Sequence, residues 1–192
     1  FRDDVAPRGH LAAEPKALTA LLYSMPACTS WRAAVETGPT VNAIRTSDRV
    51  DEMTPKEMEL IDLRALRPAD AQSLANFYNG LQPATIRTFR PLGDRTSLPA
   101  CEQIAAENDA TPRGRFDLLA WNGDSIAGWA FLANLTSEQP YLGIVVAEGW
   151  QGKGVGKSML GRLLAWGRDH AVPKVYLMVV TDNQRAIDLY TS

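Results

Sequence analysis

The run Gln151-Gly152-Lys153-Gly154-Val155-Gly156 decides how this chain of 192 residues folds. It follows an apolar, strand-like stretch at 141–147 and opens a helix-like stretch at 157–170. Strand, glycine-rich turn and helix start together form a seat for a phosphate-bearing ligand. Glycines let the backbone come close to that ligand. The first N–H groups of a helix have no acceptor within it, so they point at the anion, and the helix dipole favours its charge.

Downstream of the turn, Val155, Met159, Leu160, Leu163 and Leu164 share one helical face. Val172-Pro173 breaks that helix. The β-branched run at 174–180 reads as a buried strand, and Asp182 or Asn183 can cap a last helix holding Ala186, Leu189 and Tyr190. Upstream, 116–121 and 125–133 are strand-like and meet at Asn122-Gly123-Asp124, a hairpin signal. Residues 60–66 predict another strand. Pro68 and Asp70 suit the first turn of a helix carrying Ala71, Leu74, Phe77, Tyr78 and Leu81, which ends around Gly80. Residues 82–98 are expected to be a loop carrying Arg87, Arg90 and Arg95, and 99–108 a second helix. The order β-α-α-β-β-β-α-β-α mixes antiparallel hairpins with a parallel crossover through the glycine-turn helix.

Residues 1–53 read differently and are expected to be a helical extension or linker of unknown role, with the main domain over 54–192. Pro15 opens a candidate helix to Met25 with Leu18, Leu21 and Leu22 on one face, and 31–37 a shorter one closed by Gly38. The stretch 39–53 looks like linker, and Thr54-Pro55-Lys56-Glu57 has capping-box spacing. The chain starts at Phe1 rather than Met, which reads as processing, trimming or a fragment, and it stops at Ser192 in the middle of an uncapped helix-like pattern, so a continuation beyond Ser192 is expected.

Composition is that of an ordinary globular protein: 45% hydrophobic, 22% charged, net charge −2. No basic field favours nucleic acid or an acidic membrane. The longest apolar run, 175–180, is far too short to span a bilayer, and no secretory signal opens the chain. Cys28 and Cys101 have no metal or redox spacing, and two histidines cannot build a His-rich metal site. A reduced, cytoplasmic protein without metal is the expectation. Gly156-Lys157-Ser158-Met159-Leu160 lacks the second glycine of a nucleophile elbow. Trp121, Trp129, Phe131 and Trp166 read as core or interface aromatics rather than a base-stacking platform.

Two ligands compete for the glycine turn. Gly156-Lys157-Ser158 resembles the end of a nucleotide P-loop, and Asp182 after an apolar strand mimics its Mg²⁺-binding acid. That loop needs four residues between its first glycine and the Gly-Lys pair. Gly152 leaves three, and only ten residues follow Asp182. The other reading covers more of the chain. Gln151-x-x-Gly154-x-Gly156 resembles the acyl-CoA signature of the GNAT superfamily of N-acetyltransferases. Asn183-x-x-Ala186-x-x-Leu189-Tyr190 resembles that family's second signature, on the helix after the fifth strand. The resemblance runs over about 60–192 and implies a mixed, mostly antiparallel α/β sheet flanked by helices, with its last strands beyond Ser192.

The resemblance implies acetyl-CoA as co-substrate, an amine-bearing small molecule or protein as acceptor, and a homodimer as a candidate assembly. The CoA pyrophosphate would lie on backbone N–H groups of Gly152, Lys153, Gly154, Val155, Gly156 and Lys157, with the two lysines adding charge. Ile144, Val145 and Val146 match the strand that pairs with the pantetheine arm, and the N–H at Val146 would stabilise the oxyanion. Asn183 matches a side chain that bonds the CoA arm. Tyr190 matches the general acid for the leaving thiolate. The base is where the pattern departs. Met178 stands where several relatives that acetylate protein N-termini carry Glu, which weakens that substrate assignment. Glu148 is the candidate base, with Glu138 weaker. The arginines of 82–98 hint at an acidic acceptor. A module that binds acyl-CoA without catalysis is the alternative function.

Overall fold

Apolar runs that are continuous rather than alternating belong to strands covered on both faces. β4 (Arg115–Asn122) and β5 (Ser125–Ala133) behave this way. Leu118 and Ala120 face one core while Leu119 and Trp121 face the other. The two strands form an antiparallel hairpin with Asn122 opposite Ser125, and Gly123 turns it at a φ of +54°. The structure is a computed structural model that describes residues 19–25, 40–44, 61–109 and 114–191.

Among the described residues, seven strands form one sheet in the order β2-β1-β7-β6-β5-β4-β3. The remaining strands are β1 (Thr19–Met25), β2 (Thr40–Ile44), β3 (Asp62–Ala65), β6 (Tyr141–Val146) and β7 (Lys174–Val180). β3 through β6 are antiparallel neighbours, whereas β6 and β7 run parallel. The crossover between them is α4 (Val155–Asp169), so the parallel step falls where the glycine turn predicts it.

Helices cover both faces. α4 and α5 (Gln184–Thr191) bring Val155, Met159, Leu163 and Tyr190 against Leu118, Ala130, Leu132 and Leu177. α1 (Ala71–Gly80) and α3 (Leu98–Asp109) cover the opposite face. There Leu74, Tyr78, Cys101 and Ala105 pack on Leu119, Trp129 and Phe131. Trp129 and Phe131 are fully buried, while Trp166 stacks on Phe116 at 4.2 Å, half-buried on the other side.

Two local features hold the α1–α3 layer in place. Arg64 on β3 makes two bonds, at 2.7 and 2.9 Å, to Asp70 ahead of α1, and the same carboxylate accepts the N–H of Arg67 at 2.9 Å. At the end of α3, the Asn108 amide donates to the Leu66 carbonyl and its oxygen accepts the Asp117 N–H, both at 2.6 Å. The Asp117 side chain is fully buried and accepts from Arg115 at 2.9 Å and from the Trp129 indole at 2.8 Å.

Three expectations are corrected. Thr19–Met25 is a strand, not the end of a helix from Pro15, and Thr40–Ile44 is a strand inside the expected linker. β1 lies parallel to β7, Thr19 beside Lys174 through Met25 beside Val180, and β2 pairs with β1 on its outer side. A seven-residue apolar run is readable at either period, and the free backbone edge of β7 settles which is used. The expected helix at 31–37, the capping box at 54–57, and Cys28 and His10 lie outside the described residues. The third correction is α2 (Pro83–Thr88), a short helix within the expected loop. Pro83 sits at its first turn and Ile86 is buried.

Candidate active site

The site forms where β6 and β7 part. Their pairing covers Tyr141 with Tyr176 and Leu142 with Leu177. Beyond those residues the strands diverge toward an open cleft of about 640 Å³. Ile144, Val145 and Val146 line it from β6, and Met178 and Val179 from β7. The glycine turn, α5 and the short helix α2 complete its lining.

The turn has the backbone its glycines predict. Gly152 and Gly154 have φ of +76° and +77°, a region that side chains disfavour. Gly154 is the N-cap of α4, and no side chain caps that end. The first helical bond runs from the Ser158 N–H to the Gly154 carbonyl at 3.0 Å, so the N–H groups ahead of it have no acceptor within the helix. Gly156 is needed for a different reason. A Cβ there would sit 3.3 Å from Leu189 of α5, so its absence lets the helix start pack between α5 and β6.

Most of the sequence-predicted residues come together. Gln151, Gly152, Gly154, Gly156, Lys157, Asn183 and Tyr190 all line the cleft with Ile144, Val145 and Val146. The Val155 side chain is in the core, 3% exposed, as its place on the apolar helical face predicts. Lys153 holds its ammonium over the Trp150 ring at 4.9 Å. Gln151 donates its amide to the Val146 carbonyl at 2.9 Å and accepts from Arg185 of α5. One side chain thus ties the glycine turn to both the end of β6 and the last helix.

Asn183 accepts the Ala186 N–H at 3.3 Å with its side-chain oxygen, so it starts α5 as the sequence predicts. Tyr190, about two helical turns further on, is 5% exposed among core side chains. Burial alone pushes its phenol well above the ordinary value, so it is protonated at neutral pH.

Glu148 stands in the short 3₁₀ turn after β6. Its Oε1 accepts the Gln82 N–H at 3.0 Å and the Thr85 hydroxyl at 2.7 Å. Burial works to raise its pKa, but these bonds outweigh it and hold the carboxyl below the ordinary glutamate value. Glu138 is exposed on the loop before β6 and is not among the residues lining the cleft. Met178, whose thioether cannot take up a proton, does line it.

Sequence reasoning singled out Arg87 but missed Thr85, Thr88 and the helix that carries them. Thr85, Arg87 and Thr88 line the cleft. Arg87 pairs with Asp182, just past β7, at 3.1 Å, and Arg90 pairs with Asp94 at 2.9 Å. Two of the three loop arginines therefore already have carboxylate partners. Pro83 before Ile86 was the available signal for a helical turn.

Among the described residues no cluster of His, Cys, Asp or Glu could hold a metal ion. No helix among them is long and apolar enough to cross a membrane.

A mixed sheet that splays beside a glycine turn, with a helix carrying Tyr190 across the gap, defines the N-acetyltransferase fold that the two signatures resemble. The family model described as the acetyltransferase (GNAT) family matches residues 76–192, and the chain belongs to that family. Among solved structures it is similar to a GNAT-family acetyltransferase from Streptococcus pneumoniae. The TM-score is 0.56 and the identity 23%, over 68% of this chain and 80% of that one. It is also similar to a chimeric spermidine N-acetyltransferase of Vibrio cholerae origin, with a TM-score of 0.55 and 20% identity over 68% and 77% of the two chains. A ribosomal-protein-alanine N-acetyltransferase from Brucella melitensis gives 0.56 and 21% over 67% and 80%. These likenesses share the fold at low identity. No curated protein matches the chain.

Proposed function

We propose that the protein transfers an acetyl group from acetyl-CoA directly to a primary amine. The observation that carries this reading is the cleft itself. It joins an uncapped helix start behind two left-handed glycines to a parted pair of strands, with a protonated phenol at its side. The uncapped N–H groups suit a pyrophosphate, and the parted edge of β6 at Ile144, Val145 and Val146 suits the amide groups of a pantetheine arm. Lys157 supplies charge at the mouth, and Asn183 lies along the arm's path.

The chemistry follows from these groups. A neutral amine nitrogen forms a bond to the thioester carbon, and the oxyanion forms beside the Val146 N–H. The carbon–sulfur bond then breaks. The attacking nitrogen releases its second proton to water, while Tyr190 supplies a hydrogen bond or proton to the departing sulfur and is reprotonated from solvent. The ammonium proton of the acceptor leaves to water before attack. Acetyl-CoA, an amine acceptor and a cytoplasmic setting all belong to this reading, and metal plays no part in it.

The runner-up is a module that binds acyl-CoA without catalysis, which Met178 in place of an acid favours. Acetyl-CoA with a panel of amines (a polyamine, a lysine-bearing peptide, an aminoglycoside), analysed by mass spectrometry, separates the two. An added acetyl mass on an amine supports transfer, whereas CoA binding with no acetylated product supports the module. Tyr190→Phe should lower kcat by roughly tenfold to a hundredfold while CoA affinity stays within about threefold. A collapse of CoA affinity with the rate of the bound complex unchanged would refute the role of the phenol.

A further inference from the structure

Glu148 has a geometry that differs from that of a free proton acceptor. Its Oε1 takes two donors at once, both from α2: the N–H of Gln82, which is the N-cap, and the hydroxyl of Thr85, three residues on. In a capping box an acid three residues into the helix reaches back to the N-cap N–H. Here Thr85 occupies that position, and no side-chain bond caps the helix from Gln82. A carboxylate 63 residues further along the chain takes over the role.

The other end of α2 is tied as well. Arg87 reaches Asp182, in the connection between β7 and α5. The residue after the helix, Phe89, packs edge-on to Trp129 at 5.7 Å in the aromatic layer below. Glu148 follows β6 and Asp182 follows β7, so α2 spans the two strands where they have parted. Thr85, Arg87 and Thr88 on it line the same cleft as Tyr190.

We infer that Glu148 is a positioning residue, whose carboxylate holds α2 across the open end of the cleft and so fixes the wall against which the acceptor amine binds. Arg87–Asp182 is the second tie. Each is an exposed contact of small individual worth, so α2 remains packed through Ile86 and Phe89 when one is lost, but its placement loosens. The acceptor arm of the test rests on the acetyl-transfer reading. The amide-exchange arm does not.

Two substitutions distinguish a tie from a base. Glu148→Gln keeps an oxygen that accepts both α2 donors but cannot take a proton at neutral pH. Glu148→Ala removes both abilities. In the full chain without ligand, hydrogen exchange over α2 should quicken by about tenfold in Glu148→Ala and by no more than about threefold in Glu148→Gln. With the best amine of the panel, the acceptor KM should rise by about tenfold in Glu148→Ala with a smaller change in kcat, and Glu148→Gln should recover most of that loss. Affinity for CoA alone should stay within about threefold in both. Loss of turnover in Glu148→Gln as deep as in Glu148→Ala, with α2 exchange unchanged in both, would overturn the inference and make Glu148 the base. Unchanged exchange and unchanged acceptor KM in Glu148→Ala would overturn it too. If no amine is acetylated, the transfer reading fails and the exchange arm alone decides the tie.

Discussion

At the residue scale the glycine turn separates two demands that the sequence motif merges. Gly152 and Gly154 are fixed by backbone conformation, and Gly156 by the approach of Leu189. Forcing a side chain into the left-handed region costs about 1–2 kcal/mol per residue. Gly154→Val adds a branched side chain at the mouth of the proposed phosphate site, so CoA affinity should fall by at least about tenfold by calorimetry. The same variant should keep most of its stability, because position 154 only caps α4. Unchanged affinity would remove the phosphate seat from this turn. The glycine turn, the end of β6, Asn183 and Tyr190 were legible in the sequence at this scale, because they sit at fixed offsets from predictable elements. The Val155 side chain points into the core, as its shared face with Met159 predicts. The ties between distant segments were not legible. The partners of Glu148 and Arg87 are 63 and 95 residues away along the chain, and no local pattern records such a pairing.

At the element scale, what holds the α1–α3 layer is charge in partial burial. Burial works to raise the Asp70 carboxyl, but Arg64 and the Arg67 N–H overcome it and bring its pKa below the ordinary value. The folded state therefore binds this proton less readily than the unfolded chain does. Asp70 contributes stability above its unfolded pKa of about 3.9, and that contribution is lost as pH falls through the lower folded value. The urea midpoint of the native protein should drop over the range from about pH 5 to 2 more steeply than that of Asp70→Asn. Equal slopes would contradict the ion pair. Asp117 is deeper, fully buried beside Arg115 and the Trp129 indole. Removing the guanidinium leaves a carboxylate without its charged partner, so Arg115→Ala should cost about 3–5 kcal/mol in urea unfolding. A loss below about 1 kcal/mol would show that the pair is not desolvated as described.

Element type was legible wherever a long periodic pattern or a firm stop signal existed. The α1, α3 and α4 helices and the β4–β5 hairpin fall within a few residues of their expected bounds. It failed for Thr19–Met25 and for α2. The first is a short apolar run whose state depends on a partner strand more than 140 residues away. The second is one and a half turns long, too short for periodicity to register.

At the scale of the whole molecule, one sheet carries both functional halves. β3 to β6 and the α1–α3 layer build the end where α2 crosses the cleft, while α4, β7 and α5 build the donor seat and bring in Tyr190. β1 and β2 extend the sheet past β7, so residues ahead of the family match are part of the same framework. The parting of β6 from β7 is what the rest of this architecture serves. The most direct test is calorimetric titration of the full chain with CoA, with Mg-ATP as the competing ligand. Saturable one-site binding of CoA and none of Mg-ATP is the predicted result. Binding of Mg-ATP with none of CoA would contradict the assignment of the cleft.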